Sequence, residues 1–333
     1  MTLFLDSEDI SALASADLCE RAAWAAVNAE STGSFKLPPR IDVPSGSGFL
    51  RVMPAVLGSV MGLKVMTLAE GIGNRYLVLL YDAATGDLKG AFDADELTRL
   101  RTAAFTAVAA KLLIGENAPQ RLAVIGSGYE ADGHLRALTR MWEFETITVF
   151  SPSVQRRETF AARLTEALNI KIVPADSSES ALAGADLVTL ATKSTSPVLD
   201  GTHLMPGAVV LSIGSTRPNL RELDATTMRR TGTMIVDDSK QVRAESGDII
   251  AGLAGGDLPD ASIVSVATVS KDPSVLVRSP QRDLLTFKSV GTALQDLALA
   301  QLLLEAAGGH GRGRELGELA ALKPFANNAV KVS

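Results

Sequence analysis

Three sets of residues in this 333-residue chain have types and spacing suited to chemistry. The first is Gly126-Ser127-Gly128-Tyr129-Glu130-Ala131. It follows the mostly apolar run Arg121-Leu-Ala-Val-Ile125 and precedes a helical pattern through Leu135 and Leu138. This is the G-x-G-x-x-A dinucleotide fingerprint in a strand–turn–helix setting. Gly126 permits the tight turn, Gly128 lets a pyrophosphate approach the backbone, and Ala131 lets the helix pack on the strand. The helix N-terminus then offers free N–H groups and a positive dipole end to phosphate. The alternative reading is a glycine-rich turn without a ligand.

The second is Arg101. Steps of three and four residues put Leu97, Arg101, Phe105, Val108 and Leu112 on one helical stripe, and all but Arg101 are apolar. A guanidinium there needs an anion, because an unpaired buried charge costs several kcal/mol or more. The anion is either a protein carboxylate or a substrate carboxylate gripped through two parallel hydrogen bonds. The third is Lys64, inside Gly62-Leu-Lys-Val-Met-Thr-Leu68, a strand pattern apolar on both faces. It either snorkels at an edge or points into a pocket, where burial lowers its pKa and suits it to proton transfer. Arg40, after Pro38-Pro39, reads on its own as a solvated loop residue.

The second strand of a dinucleotide fold ends where the cofactor ribose is read, and an acid there accepts from the 2′-OH of NAD. This strand ends Thr148-Val-Phe-Ser151-Pro-Ser153-Val-Gln-Arg156-Arg157, with two serines and two arginines and no acid at the tip. That favours a 2′-phosphate, hence NADP(H), with NAD(H) the alternative and solvated arginines the bland reading. The loops Ala191-Thr192-Lys-Ser194 and Ile213-Gly-Ser215-Thr216 fall at carboxyl ends of strands, where ligands bind in this architecture.

The elements that must position these groups fall into two patterns. Residues 7–30 read as helices, with Asp17 and Glu20 forming a capping box for 18–30. Residues 31–40 are loop. Strands follow at 49–56, 62–68 and 76–82, and the turn Ala84-Thr85-Gly86-Asp87 joins the last to 88–92 as a hairpin. A helix runs from Asp93 and Glu96 to about Leu113. This is an α+β unit of mostly antiparallel strands. From Arg121 strand and helix alternate, with later strands at 146–150, 171–173, 186–191, 208–213 and 233–236, which predicts a doubly wound parallel sheet. Residues 286–307 read as one long helix that leaves the nucleotide domain and packs back on the first. The expected division is 1–117 with 294–333 as the substrate-binding and dimerisation domain, and 118–293 as the Rossmann domain.

Composition narrows the classes. Hydrophobic residues make up 46% of the chain, the net charge is −6 and there is no long basic run, so the chain is globular and nucleic acid is not its main partner. No apolar run is long enough to span a membrane, and the acidic start Met1-Thr-Leu-Phe-Leu-Asp6 lacks a signal peptide's basic region. Cys19 is the single cysteine and the three histidines are far apart, so no metal site is expected and a cytoplasmic protein is.

Taken together, Phe49-Leu-Arg-Val-Met-Pro-Ala55, Gly62-Leu-Lys64, the Thr85-Gly86 hairpin, Leu97-Thr-Arg-Leu-Arg101-Thr102-Ala-Ala104, the fingerprint, Ser196-Pro-Val-Leu-Asp-Gly201, Glu245-Ser-Gly-Asp248 and Phe287-Lys-Ser-Val-Gly291 resemble the ornithine cyclodeaminase/mu-crystallin family from end to end. The resemblance implies a homodimer built on an N-terminal substrate domain, completed by the C-terminal helix, and a Rossmann domain. It implies NAD(P)-dependent work on small imino or amino acids. It gives Lys64 and Arg101, with Arg40, the substrate carboxylate, and makes Lys64 and Arg101 the catalytic pair. It puts Thr102, Gly126, Ser127, Gly128, Tyr129, Ala131, Ser151, Ser153, Arg156, Thr192 and Ser289 along the cofactor, and Ser215, in the loop after the fifth strand, is a further candidate. Two departures bear on the reaction. Cyclodeaminases carry an aspartate as general base after the fifth Rossmann strand, where this chain has Thr216 within Gly214-Ser-Thr-Arg-Pro-Asn-Leu-Arg-Glu222, a pattern shared with ketimine reductases. The loop Ala69-Glu-Gly-Ile-Gly-Asn74, which faces the substrate in the family, is short. The expectation is reduction of a 2-imino acid, with cyclodeamination, alanine dehydrogenase chemistry and non-catalytic binding as alternatives.

Overall fold

Two sheets, each of eight strands, organise the chain. The computed structural model describes residues 2–319 together with 322 and 323. The expected packing of 294–333 therefore lies partly outside the described residues. No helix among the described residues is long and apolar enough to cross a membrane.

The first sheet is centred on Gly48–Leu57, Val60–Ala69, Gly73–Asp82 and Leu88–Asp93, paired antiparallel in that order. Period-two alternation sends Arg51, Met53 and Ala55 inward, with Lys64, Val78 and Leu80 beside them, while Val52, Pro54, Leu63, Val65 and Leu79 face outward and stay half-buried. Short flanking strands escaped the sequence reading: Thr2–Leu5, which runs parallel to Leu88–Asp93, and Phe35–Lys36, Ile41–Ser45 and Arg314–Gly317. Each is an edge or terminal piece of five residues or fewer, too short to give a period. The inward face is covered by Ala94–Ile114 and Ala293–His310, on which Ala16–Thr32 packs, and all three share one core.

The first of these helices corrects an expectation. It is capped by Ser15, whose hydroxyl accepts from the Leu18 amide at 3.1 Å, and not by Asp17, which sits exposed in the first turn. Ser15 is the residue whose hydroxyl lies three back from a free amide, so it satisfies the open N-terminal donor.

The second sheet is wholly parallel. Its order from one edge is Ile172–Pro174, Thr146–Phe150, Arg121–Ile125, Leu187–Leu190, Val209–Ser212, Leu284–Lys288, Thr231–Val236 and Ile263–Ser265. The doubly wound reading holds, with one correction. Residues 286–307 are not one helix. Leu284–Lys288 is a strand inserted between the fifth and sixth, and the helix starts only at Ala293. All five strand residues are buried, so they show no alternation, and the apolar run merges with the helical pattern after it. Gly291, at φ +76°, marks the break, and a Cβ there would lie 2.8 Å from the Arg101 guanidinium.

The inserted strand joins the two halves of the core. Phe287 is fully buried with its ring centroid 6.2 Å from that of Phe105, on the Ala94–Ile114 helix. Phe287→Ala is expected to destabilise the fold by about 3–5 kcal/mol in denaturant unfolding. A loss near zero would mean that the two halves do not depend on this contact.

Candidate active site

A cavity of about 130 Å³ opens where the inward face of the first sheet meets the carboxyl ends of the parallel strands. It brings together Lys64, Arg101, Thr102 and Arg40 from the first half of the chain with Ser289, Thr216 and Glu130 from the second. Alternation along Val60–Ala69 sends Lys64 to the covered face, where it is 2% exposed, so it does not snorkel. Its Nζ donates to Thr98 Oγ1 at 2.6 Å and to Asp296 Oδ1 at 3.1 Å, and it lies 4.9 Å from the centroid of the Tyr76 ring.

Arg101 meets the same carboxylate. Its Nε donates to Asp296 Oδ1 at 2.9 Å and its Nη1 to Gln295 Oε1 at 2.7 Å. The partner is thus a protein carboxylate, but one shared by two cations, which leaves the trio with a surplus positive charge facing the cavity. Burial pulls the Lys64 ammonium down to about 8, against the opposing pull of Asp296, and Arg101 adds to the lowering. Arg40 is not a solvated loop residue. Its side chain is 5% exposed, with Nε 2.8 Å from Glu245 Oε1 and Nη2 donating to Gln241 Oε1 and the Gly291 carbonyl, each at 2.8 Å. These partners all come from the second half of the chain, so Arg40 ties the halves together at the cavity.

Asp296 and Gln295 were missed by the sequence reading. Their signal was available: in Ala293-Leu-Gln-Asp-Leu-Ala-Leu-Ala300 a lone acid stands in an apolar helix, the same argument that singled out Arg101.

The fingerprint turn is open for a dinucleotide. Gly126 has φ +124°, and a Cβ there would lie 2.5 Å from the Ala191 carbonyl oxygen, whereas a Cβ at Gly128 would meet nothing within 4 Å. Ala131 is fully buried. Ser127 and Ser151 share a 2.8 Å hydrogen bond across the tips of the first two strands. Ser153 caps the next helix by accepting from the Arg156 amide at 3.3 Å. Arg156 is exposed and has no ion-pair partner among the described residues, so its guanidinium is free for a phosphate. Arg157 is structural: it is buried, stacks over Phe150 and donates to the Ser151 carbonyl.

Three of the expected cofactor residues have their hydroxyls committed to protein partners. Tyr129 donates to Glu96 at 2.8 Å and, with Ser127 and Gly128 of the fingerprint turn, lines a groove of about 1070 Å³ that holds neither Lys64 nor Arg101. Ser215 is fully buried and donates to the Leu220 carbonyl at 2.6 Å, because the turn after its strand needs that closure. Ser289 lines the cavity, but its hydroxyl donates to the buried Asp237 at 2.7 Å. Asp237 also accepts from the Gly291 amide, and so holds the turn that carries Arg40's acceptor.

Thr192 is fixed from below. Glu222, fully buried, accepts from the Thr192 amide at 2.7 Å and its hydroxyl at 3.0 Å, and its other oxygen accepts from Ser212 and the Gly214 amide. Lys288, also fully buried, lies 3.7 Å from Glu222 and 3.4 Å from Asp248 and donates to Ser212. This buried cluster sets both loops at the cavity's nucleotide side, and the sequence reading quoted its residues only as motif.

Lys64 is expected to titrate near pH 8 when followed by NMR of its ε-carbon. Asp296→Asn removes the charge that opposes the lowering, so the midpoint should move further down. An upward or absent shift would show that Asp296 does not set the Lys64 charge.

The profile of the ornithine cyclodeaminase/mu-crystallin family matches residues 1–311. Ketimine reductase mu-crystallin from Mus musculus is 31% identical over 283 residues, spanning 82% of this chain and 86% of that protein. Among solved structures, Delta(1)-pyrroline-2-carboxylate reductase from Thermococcus litoralis, in complex with NADH and L-proline, superposes with a TM-score of 0.86 at 27% identity, over 94% of this chain and 100% of that one. An archaeal alanine dehydrogenase dimer with bound NAD gives 0.87 at 26% identity, over 95% and 99%. With the cavity, the fingerprint and the inserted strand in the same chain, the conclusion is plain: this protein belongs to the ornithine cyclodeaminase/mu-crystallin family.

Proposed function

We propose that this protein is a nicotinamide-dependent reductase of small 2-imino acids. The observation that carries the reading is the buried trio Lys64–Arg101–Asp296, with its surplus positive charge beside the fingerprint turn. The Nη2 of Arg101 makes no hydrogen bond to a described residue and lies next to Gly291, free to take a substrate carboxylate with help from Arg40. Lys64 gives a proton from Nζ to the imine nitrogen and is restored from solvent. The nicotinamide, when bound, supplies the hydride to the C=N carbon. Enclosure in a small cavity would confine the imine carbon beside a bound nicotinamide, which favours transfer. A ketimine reductase and a pyrroline-2-carboxylate reductase are among the relatives, which supports this reading.

Cyclodeamination fits less well. Thr216 lines the cavity where a base would be needed. Asp237 is committed to Ser289 and Gly291, and Asp238 caps the helix Ser239–Glu245, so neither is free to act. Glu130 is the carboxylate that lines the cavity among the described residues.

For the cofactor we favour NADPH, from Ser151 in place of an acid and the free Arg156, although the two solved neighbours carry NADH and NAD. A homodimer through the outward face of the first sheet would cover Val52, Pro54, Leu63, Val65, Leu77 and Leu79. The archaeal alanine dehydrogenase is a dimer.

The test is a panel with NADPH and NADH: pyrroline-2-carboxylate, piperideine-2-carboxylate, and pyruvate with ammonia or methylamine, against L-ornithine with NAD. We expect turnover of imines, with NADPH effective at lower concentration than NADH, falling as pH rises through about 8, where Lys64 loses its proton. Release of ammonia from ornithine at about one turnover per second or faster would overturn the assignment and point to Glu130 as base. Light scattering should give twice 34.9 kDa; a stable monomer at micromolar concentration would refute the dimer.

A further inference from the structure

Among the described residues a single carboxylate, that of Glu130, lines the substrate cavity. The other acids around the site stand behind its wall and already face donors. Asp296 takes Lys64 and Arg101, Glu245 takes Arg40, Asp42 takes Arg51, and Asp237 takes Ser289 and Gly291. Glu130 has no such partner. Its side chain makes no ion pair or hydrogen bond with a described residue, and its Oε2 is enclosed. An enclosed carboxylate oxygen without a donor is costly, so a ligand that brings one is favoured there.

The backbone under this side chain is clamped. Glu130 is the second residue of the helix Tyr129–Met141, and its carbonyl accepts from His134 Nδ1 at 2.6 Å. The other ring nitrogen meets the Thr106 hydroxyl at 3.1 Å, on the helix Ala94–Ile114 that carries Arg101 and Thr102. The imidazole is fully buried. The start of the fingerprint helix is thus tied to the helix of the carboxylate anchor. An acid in the first turn of a helix often does no more than face solvent and complement the helix dipole. This one is half-buried and looks into the cavity. Burial dominates the titration of Lys64 and of Tyr76, but both also feel Glu130 and Arg101, with opposite signs, so the two charges act on one space.

We propose that Glu130 is the anionic partner of the substrate nitrogen: the iminium N–H, and then the ammonium of the amino-acid product, donates to its carboxylate, and this contact selects nitrogen over oxygen at that position. The proposal rests on the imine-reductase reading above and adds a specificity residue to it. A positive nitrogen held among Arg40, Arg51 and Arg101 needs an anion beside it. No proton passes to Glu130. Lys64 gives the proton that forms the iminium, the hydride discharges it at carbon, and the amine takes one more proton from solvent. An N–H donor on a charged nitrogen makes a strong bond to a carboxylate. An ether oxygen in the same place sets a lone pair against it. The carboxamide N–H of a bound nicotinamide is the other donor of this chemistry, and the experiment separates the two.

The experiment is calorimetry on the NADP-loaded protein with two matched pairs, L-proline against tetrahydrofuran-2-carboxylate and L-alanine against L-lactate, in the native protein, Glu130→Gln and Glu130→Asp. The Kd of NADPH by fluorescence and the pH profile of kcat/KM for the best imine are measured alongside. We expect the native protein to favour the nitrogen member of at least one pair by about tenfold or more. Glu130→Gln keeps the shape and loses the charge, so that preference should fall about tenfold while the Kd of NADPH holds. Glu130→Asp should keep part of it. The pH at which kcat/KM falls should move down in Glu130→Gln, because the iminium and the Lys64 ammonium both lose a neighbouring negative charge. Equal affinity within both pairs, no binding by any member, or a preference that survives Glu130→Gln overturns the proposal. So does a Kd of NADPH raised about tenfold with the preference unmoved, which assigns the carboxylate to the nicotinamide amide. A native protein that turns over no imine but keeps the nitrogen preference sinks the reductase reading and leaves the contact standing.

Discussion

One carboxylate oxygen, Asp296 Oδ1, receives both Lys64 and Arg101, and much of the structure serves to bring these three residues together. They are 232 and 195 residues from Asp296 in sequence. Lys64 comes from the inward face of the first sheet, Arg101 from the helix that covers it, and Asp296 from the helix that returns after the parallel sheet is complete. Burying two cations against one anion is costly, and removing one partner of such a cluster typically costs roughly 3–5 kcal/mol. The arrangement has a use only if another anion completes it. In the proposed reaction a substrate carboxylate would do so, making binding and charge neutralisation one event. It also explains why the Lys64 ammonium sits close to neutrality: burial pulls its pKa down further than Asp296 pulls it up.

The stretch from Leu284 to Asp296 links this trio to the nucleotide half. Its strand carries Lys288 into the buried cluster with Glu222 and Asp248, which fixes the Thr192 and Gly214 loops. The turn that follows is held by Asp237 and carries the carbonyl that fixes Arg40. The helix after it delivers Asp296. The two sheets are therefore not independent platforms with a cleft between them. A single run of chain sets the Lys64–Arg101–Asp296 trio and the Thr192 and Gly214 loops, so a change in that run should be felt on both.

Much of this was legible in the residues. The fingerprint was readable because glycine and alanine there are demanded by backbone geometry, and Gly126 at positive φ bears that out. Arg101 was readable because a charge on an apolar stripe needs an anion. Period two located the long strands of the first sheet. What failed did so for physical reasons. Leu284–Lys288 is buried on both faces and shows no period, so it merged with the helix beyond it. Asp17 had the sequence spacing of a cap, but Ser15 had the geometry. The hydroxyls of Tyr129 and Ser215 close contacts with Glu96 and Leu220, which no local pattern encodes.

The central claim is that Arg101 and its surplus charge hold the substrate, and Arg101→Lys tests it most directly. The substitution keeps the charge and loses the planar fork. With native-like unfolding as a control, kcat/KM for the best imine should fall about a hundredfold or more, about 3 kcal/mol of transition-state stabilisation, while the Kd of NADPH changes little. A variant that loses NADPH binding as much as turnover, or that no longer folds, would contradict the account and leave Arg101 as a structural partner of Asp296.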